Sequence, residues 1–261
     1  MMTTLIEALL LNKGGVVSIV GSGGKTSLMF KLARQLAQAG NTVLTTTTTK
    51  ILKPTKNQSP HVIVSADPDQ VVEQSQKILS RHRHITAAAA AISSTRHKLT
   101  GFPPEAVDRL FAGGAFRWLL VEADGAAGLP LKAPAPYEPV IPASSGWVIG
   151  VAGLKSVGKP LTDEWVFRSH LYAELTGLHL GQAVSEASVA TVLASAKGIM
   201  KGCPPKAKRI AFLNMADQQD RLTRARRIAQ LLQITPPTNN LHRVVIGKVL
   251  HPQPVVEYYD L

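Results

Sequence analysis

The sequence predicts an α/β protein, a three-layer sandwich in which helices cover both faces of a mostly parallel sheet, with a small helical insertion. Short apolar runs rich in β-branched residues alternate along the chain with stretches whose apolar residues recur at helical spacing. A glycine-rich turn joins the first of these runs, residues 16–20, to the first long helical stretch. At 261 residues, the chain is long enough for one large core, or for a core domain with a smaller subdomain.

The glycine-rich turn has the composition of a phosphate-binding loop. Its glycines let the backbone direct N–H groups inward, and the dipole of the following helix points its positive end at the same place. Lys25 supplies a charge for the β- and γ-phosphates and is our candidate catalytic lysine, while the Thr26 hydroxyl stands where the common motif places a Mg²⁺ ligand. The candidate nucleotide-binding residues of this loop are Gly21, Ser22, Gly23, Gly24, Lys25, Thr26 and Ser27.

This loop is shorter than the common G-x-x-x-x-G-K-[ST] pattern. Counting back from Gly24 places Ile19, a strand residue, where the first glycine of that pattern belongs. The resulting G-x-x-G-K-T loop resembles that of the Mur-ligase ATPases, and it keeps the lysine, the hydroxyl and the helix dipole. The alternative, a glycine-rich turn without a ligand, leaves the Gly-Gly-Lys-Thr run unexplained.

A run of five threonines and a lysine ends the next predicted strand, residues 42–50. If this strand lies beside the first, its carboxyl end comes out next to the phosphate loop, where ligands collect in parallel sheets. Thr47, Thr48 and Lys50 are therefore candidates for contacting Mg²⁺-bound water or a phosphate oxygen. The alternative is that they are ordinary half-exposed strand residues.

The stretch that follows predicts a strand, a helix and a second strand. Residues 61–64 are the first strand, and Pro68 opens a helix that runs to about Arg81. The Arg-His-Arg-His run at residues 81–84 alternates faces, which indicates a solvated helix end rather than a metal site. Residues 85–92 contain five alanines, and their place in the alternation favours a strand over a helix.

Two carboxylates and a glycine follow the buried apolar run at residues 116–121. A phosphate-loop enzyme needs acids at such a strand end to hold or orient Mg²⁺ opposite the threonine of the loop. We take Glu122 as the nearer metal partner and Asp124 as the catalytic, water-orienting acid, with at least one of them reaching the Mg²⁺ held by Thr26. The alternative is solvation of an exposed strand end.

Residues 139–205 interrupt the alternation with helical runs near 163–176 and 185–197. We therefore divide the chain into a nucleotide-binding core (1–138), a substrate- or partner-facing subdomain (139–205) and a return to the core sheet (206–261). A second G-x-x-x-x-G-K run starts at Gly153, but Pro160 replaces the hydroxyl residue, so this run indicates a basic loop that closes over a substrate or merely connects elements. Lys132, Glu138 and Lys159 are the candidate substrate-binding residues.

The predicted strand at 209–213 ends in the sequence Asn-x-x-Asp, formed by Asn214 and Asp217. This resembles the guanine-reading N-K-x-D of GTPases, with Met215 in place of the lysine. We expect both residues at the carboxyl edge of the sheet, facing the base. The alternative is that they are turn and helix-cap residues. A basic amphipathic helix at 218–233 and a last strand at 244–246 complete the chain.

Composition narrows the class of protein. The formal net charge is +12, with basic residues crowded into residues 197–227, but aromatic residues make up only 5% of the chain and none interleaves with that basic cluster. This argues against a nucleic-acid surface and favours a solvated helix face or attraction for small polyanions or an acidic partner.

The single cysteine, Cys203, allows no internal disulfide, and no apolar run reaches the length of a membrane span. With no basic secretion start, we expect a cytoplasmic protein.

Taken together, the motifs resemble those of the YqeC family, described as accessory to selenium-dependent molybdenum hydroxylases. More distantly, the acidic strand end and the Asn-x-x-Asp run resemble metal-chaperone GTPases and dethiobiotin synthetase-like enzymes. The family resemblance implies a P-loop NTPase-like fold and a part in selenium or molybdenum cofactor handling, with a molybdenum hydroxylase or its cofactor as partner. The runs that carry it are Gly21 to Thr26, Thr46 to Lys50, Val121 to Gly125, Leu131 to Pro134, Glu138 to Pro142, Gly158 to Leu161, and Asn214 with Asp217.

From these residues and the resemblance we expect a Mg²⁺-dependent protein that binds ATP or GTP and hydrolyses it slowly. Two alternatives stay open. One is an ATP-dependent ligase or kinase that activates a small anionic substrate. The other is a nucleotide-binding switch without hydrolysis, which the lack of an identifiable nucleophile or general base favours.

Overall fold

The computed structural model describes residues 3–92, 98–234 and 240–261. Within these ranges the chain forms fourteen strands. They are β1 (Gly15–Gly21), β2 (Val43–Thr47), β3 (Lys50–Leu52), β4 (Val62–Val64), β5 (His84–Ala88), β6 (Ala90–Ile92), β7 (Lys98–Thr100), β8 (Trp118–Glu122), β9 (Leu131–Lys132), β10 (Ser145–Gly153), β11 (Val166–Phe167), β12 (Lys208–Asn214), β13 (Leu241–Gly247) and β14 (Val255–Asp260).

Seven α-helices connect or flank these strands in the described residues. They are α1 (Leu5–Ala8), α2 (Lys25–Gln38), α3 (Pro68–Leu79), α4 (Pro104–Ala112), α5 (Ser169–Thr176), α6 (Glu186–Ala194) and α7 (Gln219–Ile234). None of them combines the length and the apolar character that crossing a bilayer requires.

One sheet of nine strands, counted over the described residues, organises the fold, in the order β14-β13-β12-β10-β1-β8-β2-β5-β4. All neighbouring pairs are parallel except β13 with the edge strand β14. The strand that leads into the glycine-rich turn, β1, is central, between β10 and β8. The carboxyl ends of β1, β8 and β2 therefore meet at one edge of the sheet.

Helices cover both faces of this sheet, because alternate residues of its buried strands enter two separate hydrophobic cores. Val17 and Ile19 of β1 pack with α1 and α2 on one face. Val16 and Val20 pack with α3, α4, α5, α6 and α7 on the other. A sheet buried on both faces requires strands that are mainly apolar, and β1 and β8 are buried along their whole length. The predicted three-layer α/β fold with a mostly parallel sheet is confirmed.

Several elements differ in detail from the sequence-based expectation. Residues 85–92 form two strands rather than one, since β5 lies in the main sheet while β6 pairs with β7 in a separate three-stranded sheet. The expected solvated helix end at 81–84 is wrong for His84, which is buried as the first residue of β5 because α3 ends at Leu79.

The range 139–205 contributes to the main sheet as well as to the helices beyond it. Its strand β10 pairs in parallel with both β1 and β12, in the middle of the sheet. Its helix α5 packs against α6, and α6 packs against α7. The proposed three-part division therefore places a central strand of the core within the predicted subdomain.

Candidate phosphate-binding site

The loop between β1 and α2 has space only for glycine at two of its positions. Gly23 and Gly24 have positive φ angles of 86° and 122°. A Cβ at Gly23 would lie 2.5 Å from the Pro130 carbonyl oxygen, and one at Gly24 would lie 2.3 Å from the Asn214 side-chain nitrogen. The loop backbone is thus held between neighbouring segments, in the strand, loop, helix order that anion binding at a helix N-terminus requires.

The side chain of Lys25 folds back over this loop and is 4% exposed. Its Nζ donates a 2.7 Å hydrogen bond to the Gly21 carbonyl and lies 3.1 Å from Asp124 Oδ1. Glu122 Oε1 is farther away, at 3.9 Å. A phosphate bound in the loop would exchange some of these contacts for its own oxygens.

Thr26 and Glu122 meet at the mouth of the loop. The Thr26 hydroxyl donates a 2.7 Å hydrogen bond to Glu122 Oε2. Glu122 is the last residue of β8 and lies in register with Ile19 of β1 and Thr47 of β2, so the sheet itself fixes its position. Burial raises the pKa of this carboxyl group, an effect that Lys25 and Thr26 oppose and that Asp124 reinforces.

Asp124 is fully buried behind the loop. Its Oδ2 atom accepts hydrogen bonds of 2.9 Å from both the Gly21 amide and Lys132 Nζ. Its Oδ1 atom faces Lys25 but has no hydrogen-bond partner within the described residues. A buried carboxylate oxygen with unused acceptor capacity is the kind of atom that a bound water or cation satisfies.

Lys132 and Glu138, predicted to bind a substrate, lie in the same buried network rather than at an open surface. Lys132 is 1% exposed and donates to Glu138 Oε2 at 2.7 Å as well as to Asp124. Arg168 forms a second ion pair with Glu138, at 2.5 Å. Burial would raise the pKa of Glu138, but hydrogen bonds from Arg168 and Lys132 outweigh it and lower that pKa to about 2.

Lys159, the third predicted substrate-binding residue, lies apart from that buried network. It is exposed, and its Nζ sits 5.1 Å from the ring centroid of Trp165, a cation–π contact. Its backbone bonds with Ser156 and Val184, so the basic run at 153–160 lies against the segment before α6.

Thr47, the last residue of β2, and Thr48, which follows it, bond to neighbouring segments through their hydroxyl groups. The Thr47 hydroxyl donates to the Glu122 carbonyl at 2.7 Å, and the Thr48 hydroxyl donates to the Val140 carbonyl at 2.7 Å. Lys50 is exposed and begins β3. The structure thus brings Thr47 and Thr48 close to Glu122, with their hydroxyl hydrogens bonded to carbonyl oxygens.

Asn214 and Asp217 point in different directions. Asn214 is 2% exposed, and its Nδ2 atom donates a 2.7 Å hydrogen bond to the Gly23 carbonyl in the loop. Asp217 pairs with Arg221, in the first turn of α7, at 3.0 Å, and the Asp217 side chain is 54% exposed. Met215 between them has a positive φ of 71°, which turns the chain away from the strand. Asn214 therefore contacts the glycine-rich loop, and Asp217 lies at the surface.

Sequence reasoning missed three residues that contribute to this site. Arg168 pairs with Glu138, and its position before a helical stretch gives no distinguishing pattern. Pro130 and Gly153 clamp the loop from outside, since the Gly153 amide donates to the Pro130 carbonyl at 2.9 Å directly against Gly23. In the sequence, Gly153 begins the second G-x-x-x-x-G-K run, and that pattern does not indicate a contact with the first glycine-rich loop.

Comparison with known proteins identifies relatives of this chain. The model of the family described as "YqeC protein" matches residues 17–170. The "Uncharacterized protein YqeC" of Escherichia coli (strain K12) is 34% identical over 218 residues, which cover 84% of this chain and 82% of that protein. The resemblance predicted from the motifs is thereby confirmed.

Among solved structures, the chain overlaps with two FtsY proteins. Chloroplast FtsY from Physcomitrella patens matches 95% of this chain at 16% identity, with a TM-score of 0.32. FtsY from Mycoplasma mycoides matches 97% at 12% identity, with a TM-score of 0.41. The chain spans 55% and 66% of the lengths of those two chains.

Proposed function

We propose that this chain, which belongs to the YqeC family, binds a nucleoside triphosphate together with Mg²⁺ at the loop from Gly21 to Ser27. One observation carries the proposal. A buried lysine, a helix-N-terminal threonine and two strand-end carboxylates converge on a loop that has room only for glycine at Gly23 and Gly24. This set supplies backbone amides, a cation for phosphate and oxygen ligands for a metal.

The oxygen donors at the loop mouth fit Mg²⁺. In the described part of the chain no three His, Cys, Asp or Glu side chains come together as a metal site. Mg²⁺ suits such a place, because it takes one or two protein oxygens and keeps waters or phosphate oxygens for the rest. Thr26 and Glu122 would hold it, and the ion would neutralise charge on the phosphates.

The residues behind the loop support slow hydrolysis. Lys25 would turn from the Gly21 carbonyl towards the phosphates, which leaves Asp124 Oδ1 to accept a hydrogen bond from a water molecule. Asp124 keeps its orientation meanwhile, because the Gly21 amide and Lys132 both hold its other oxygen. We propose further that this activity serves the maturation of selenium-dependent molybdenum hydroxylases or of their cofactor, a role that rests on the resemblance to the YqeC family.

A second candidate is a ligase or kinase that uses the triphosphate to activate a small anionic substrate. The chain of buried charges from Asp124 through Lys132 to Glu138 and Arg168 favours it, because it extends the site beyond the phosphate loop. The third candidate is a switch that binds nucleotide without hydrolysis. It is favoured by the buried ion pair between Lys25 and Asp124, because this contact of 3.1 Å holds both side chains in place without a ligand.

Calorimetric titration with ATP and GTP tests the binding proposal. Lys25→Ala removes a phosphate contact and Thr26→Ala removes a metal ligand, and each should cost about 1.5–3 kcal/mol of binding free energy. Lys77→Ala is the matched control, since Lys77 is an exposed helix lysine paired with Glu73. Equal affinities for the wild type and Lys25→Ala would refute nucleotide binding at this loop.

Phosphate release separates the three candidates. ATP and GTP are incubated with the protein, with and without a cell extract. Slow release by the protein alone supports a hydrolase. Release or nucleotide consumption only in the presence of extract supports a substrate-dependent ligase or kinase. Stoichiometric nucleotide binding with no turnover in either condition would exclude both enzymes and support the nucleotide-binding switch.

A further inference from the structure

The Glu138 carboxylate is shared by two cations of different character. Lys132 approaches it at 2.7 Å and has no exposed surface on its side chain. Arg168 approaches at 2.5 Å and 3.3 Å, as a two-pronged pair, and its side chain is 17% exposed. Glu138 would therefore keep a buried cationic partner if Arg168 turned elsewhere. A buried carboxylate that loses its only cationic partner is strongly destabilised. Glu138 avoids this cost because Lys132 remains beside it.

The backbone at Arg168 is in a conformation that side-chain-bearing residues rarely adopt. Its φ and ψ angles are 61° and 57°, in the left-handed region, at the residue before α5. The following residue, Ser169, is fixed by two hydrogen bonds to Asp163. Strain of this kind persists where the surroundings enforce it, and it is concentrated at ligand-binding positions.

Two aromatic rings lie near the guanidinium group of Arg168. The guanidinium carbon lies 4.5 Å from the ring centroid of Phe167 and 5.8 Å from that of Tyr137. Tyr137 is 74% exposed, so most of its ring does not pack against the protein. Arg168 is partly exposed and Tyr137 is largely exposed, so both side chains can be reached from solvent beside the buried network.

We propose that Arg168 is the anion-binding residue of a second ligand site, which takes the carboxylate or phosphate group of a small molecule carrying an aromatic ring. The planar guanidinium suits two-pronged contact with such an anion, and Tyr137 offers the ring a stacking surface. On binding, Arg168 exchanges Glu138 for the ligand while Lys132 retains Glu138. The inference rests on the proposed function in one respect, that the nucleotide occupies the neighbouring loop and this ligand is the second one.

The site lies next to the phosphate loop through an unbroken series of contacts. Arg168 meets Glu138, Glu138 meets Lys132, Lys132 meets Asp124, and Asp124 meets Lys25. A ligand held at Arg168 would thus be linked through Glu138 and Lys132 to Asp124, the carboxylate that we propose orients the attacking water.

Titration of the full-length protein with phenyl phosphate and with benzoate, observed through the ligand NMR signals, tests the inference. Arg168→Gln should raise the Kd of both probes about tenfold or more, the loss expected for a charge-assisted pair. Arg168→Lys should recover only part of the affinity, because an ammonium lacks the fork geometry. Arg226→Gln is the matched control, since Arg226 forms a comparable ion pair with Glu257 at the surface and should leave both Kd values unchanged.

Lys25→Ala distinguishes this site from the phosphate loop. Probe affinity that survives Lys25→Ala and is lost in Arg168→Gln supports the second site, whether or not nucleotide binds at the loop. Affinity that is lost in Lys25→Ala and kept in Arg168→Gln places the probe in the loop and overturns the inference, while the nucleotide proposal stands. Equal losses in both variants, or no saturable binding to the wild type, also overturn it.

Tyr137→Ala provides an independent test, because so exposed a ring can be removed without disturbing the core. It should weaken phenyl phosphate binding and leave the binding of inorganic phosphate unchanged. Equal affinity of the wild type and this variant for phenyl phosphate would refute the aromatic part of the site, even if Arg168→Gln failed to fold.

Discussion

The side chain of Asn214 ties the phosphate loop to the far end of the chain, since its Nδ2 atom donates a 2.7 Å hydrogen bond to the Gly23 carbonyl. Its Oδ1 atom accepts a hydrogen bond from the Val249 amide at 3.0 Å. One buried amide thus satisfies both the loop and the segment after β13. In the sequence Asn214 resembles the asparagine of the guanine-reading N-K-x-D motif, but in the structure its side chain bonds to the backbone of the loop.

Asn214→Ala should destabilise the protein and weaken nucleotide binding. It leaves the Gly23 carbonyl and the Val249 amide without partners, and each unsatisfied buried group costs about 1–3 kcal/mol. The free energy of unfolding, measured in urea, should therefore fall by roughly 2–6 kcal/mol. Asn57→Ala is the control, because Asn57 is exposed. An unfolding midpoint equal to that of the wild type would show that this amide does not hold the loop.

Asp217→Asn tests base recognition. If Asp217 reads guanine, the amide should weaken GTP binding and move preference towards xanthosine triphosphate, because it can donate a hydrogen bond where the carboxylate only accepts. The carboxylate would first have to leave Arg221, its partner at 3.0 Å. Asp220→Asn, three residues further along, is the control. Unchanged affinities for GTP, ATP and xanthosine triphosphate would leave Asn214 and Asp217 with structural roles alone.

Glu122→Gln should remove most of the effect of Mg²⁺ on nucleotide affinity. The amide can still accept the Thr26 hydrogen bond, but it lacks the charge that attracts the cation. In Mg²⁺ we expect the nucleotide affinity to fall about tenfold, as for the loss of one charged contact. In EDTA the nucleotide affinity should equal that of the wild type or exceed it. Glu73→Gln, at an exposed helix position, controls for net charge.

The same carboxylate predicts a pH dependence of the wild type. Because burial raises the pKa of Glu122, the ionised form that Mg²⁺ requires is gained only as the pH rises through that raised pKa. The ratio of affinities with and without Mg²⁺ should therefore increase with pH in the wild type and stay flat in Glu122→Gln. A flat ratio in both proteins would exclude Glu122 as a metal ligand.

The ionised Glu138 side chain should stabilise the fold at pH values above its ordinary pKa, and this stabilisation should be lost in acid. Its pKa falls from 4.5 to about 2 in the folded protein, which corresponds to roughly 3 kcal/mol at neutral pH. The contribution is complete above pH 4.5 and disappears as the pH falls towards 2. Glu138→Gln should therefore lower the free energy of unfolding at pH 7 and do so much less at pH 3.

Urea unfolding of the wild type and Glu138→Gln at both pH values measures this difference. Glu257→Gln is the control, since Glu257 pairs with a half-exposed arginine at the sheet edge. A destabilisation of equal size at both pH values would mean that the substitution acts through packing rather than through the charge of Glu138.

The sequence by itself determined the local parts of this protein. The strand, glycine-rich loop and helix around Lys25 could be predicted because glycine spacing and helical periodicity act over a few residues. The carboxylates Glu122 and Asp124 could be placed near the loop because parallel strands direct their carboxyl ends to one edge. Residues 145–153, although apolar enough for a buried strand, could not be placed next to β1, because periodicity gives the type of an element and not its neighbours in the sheet.

Only the tertiary structure decided which polar groups meet inside. Asn214 and Gly23 are 191 residues apart, and their contact depends on the order β12-β10-β1. Lys132 looks in sequence like a surface lysine near a substrate, yet it is buried because Asp124 and Glu138 together offset the desolvation of its charge. Such pairing is a property of distant segments brought into contact, so no local pattern of residues contains it.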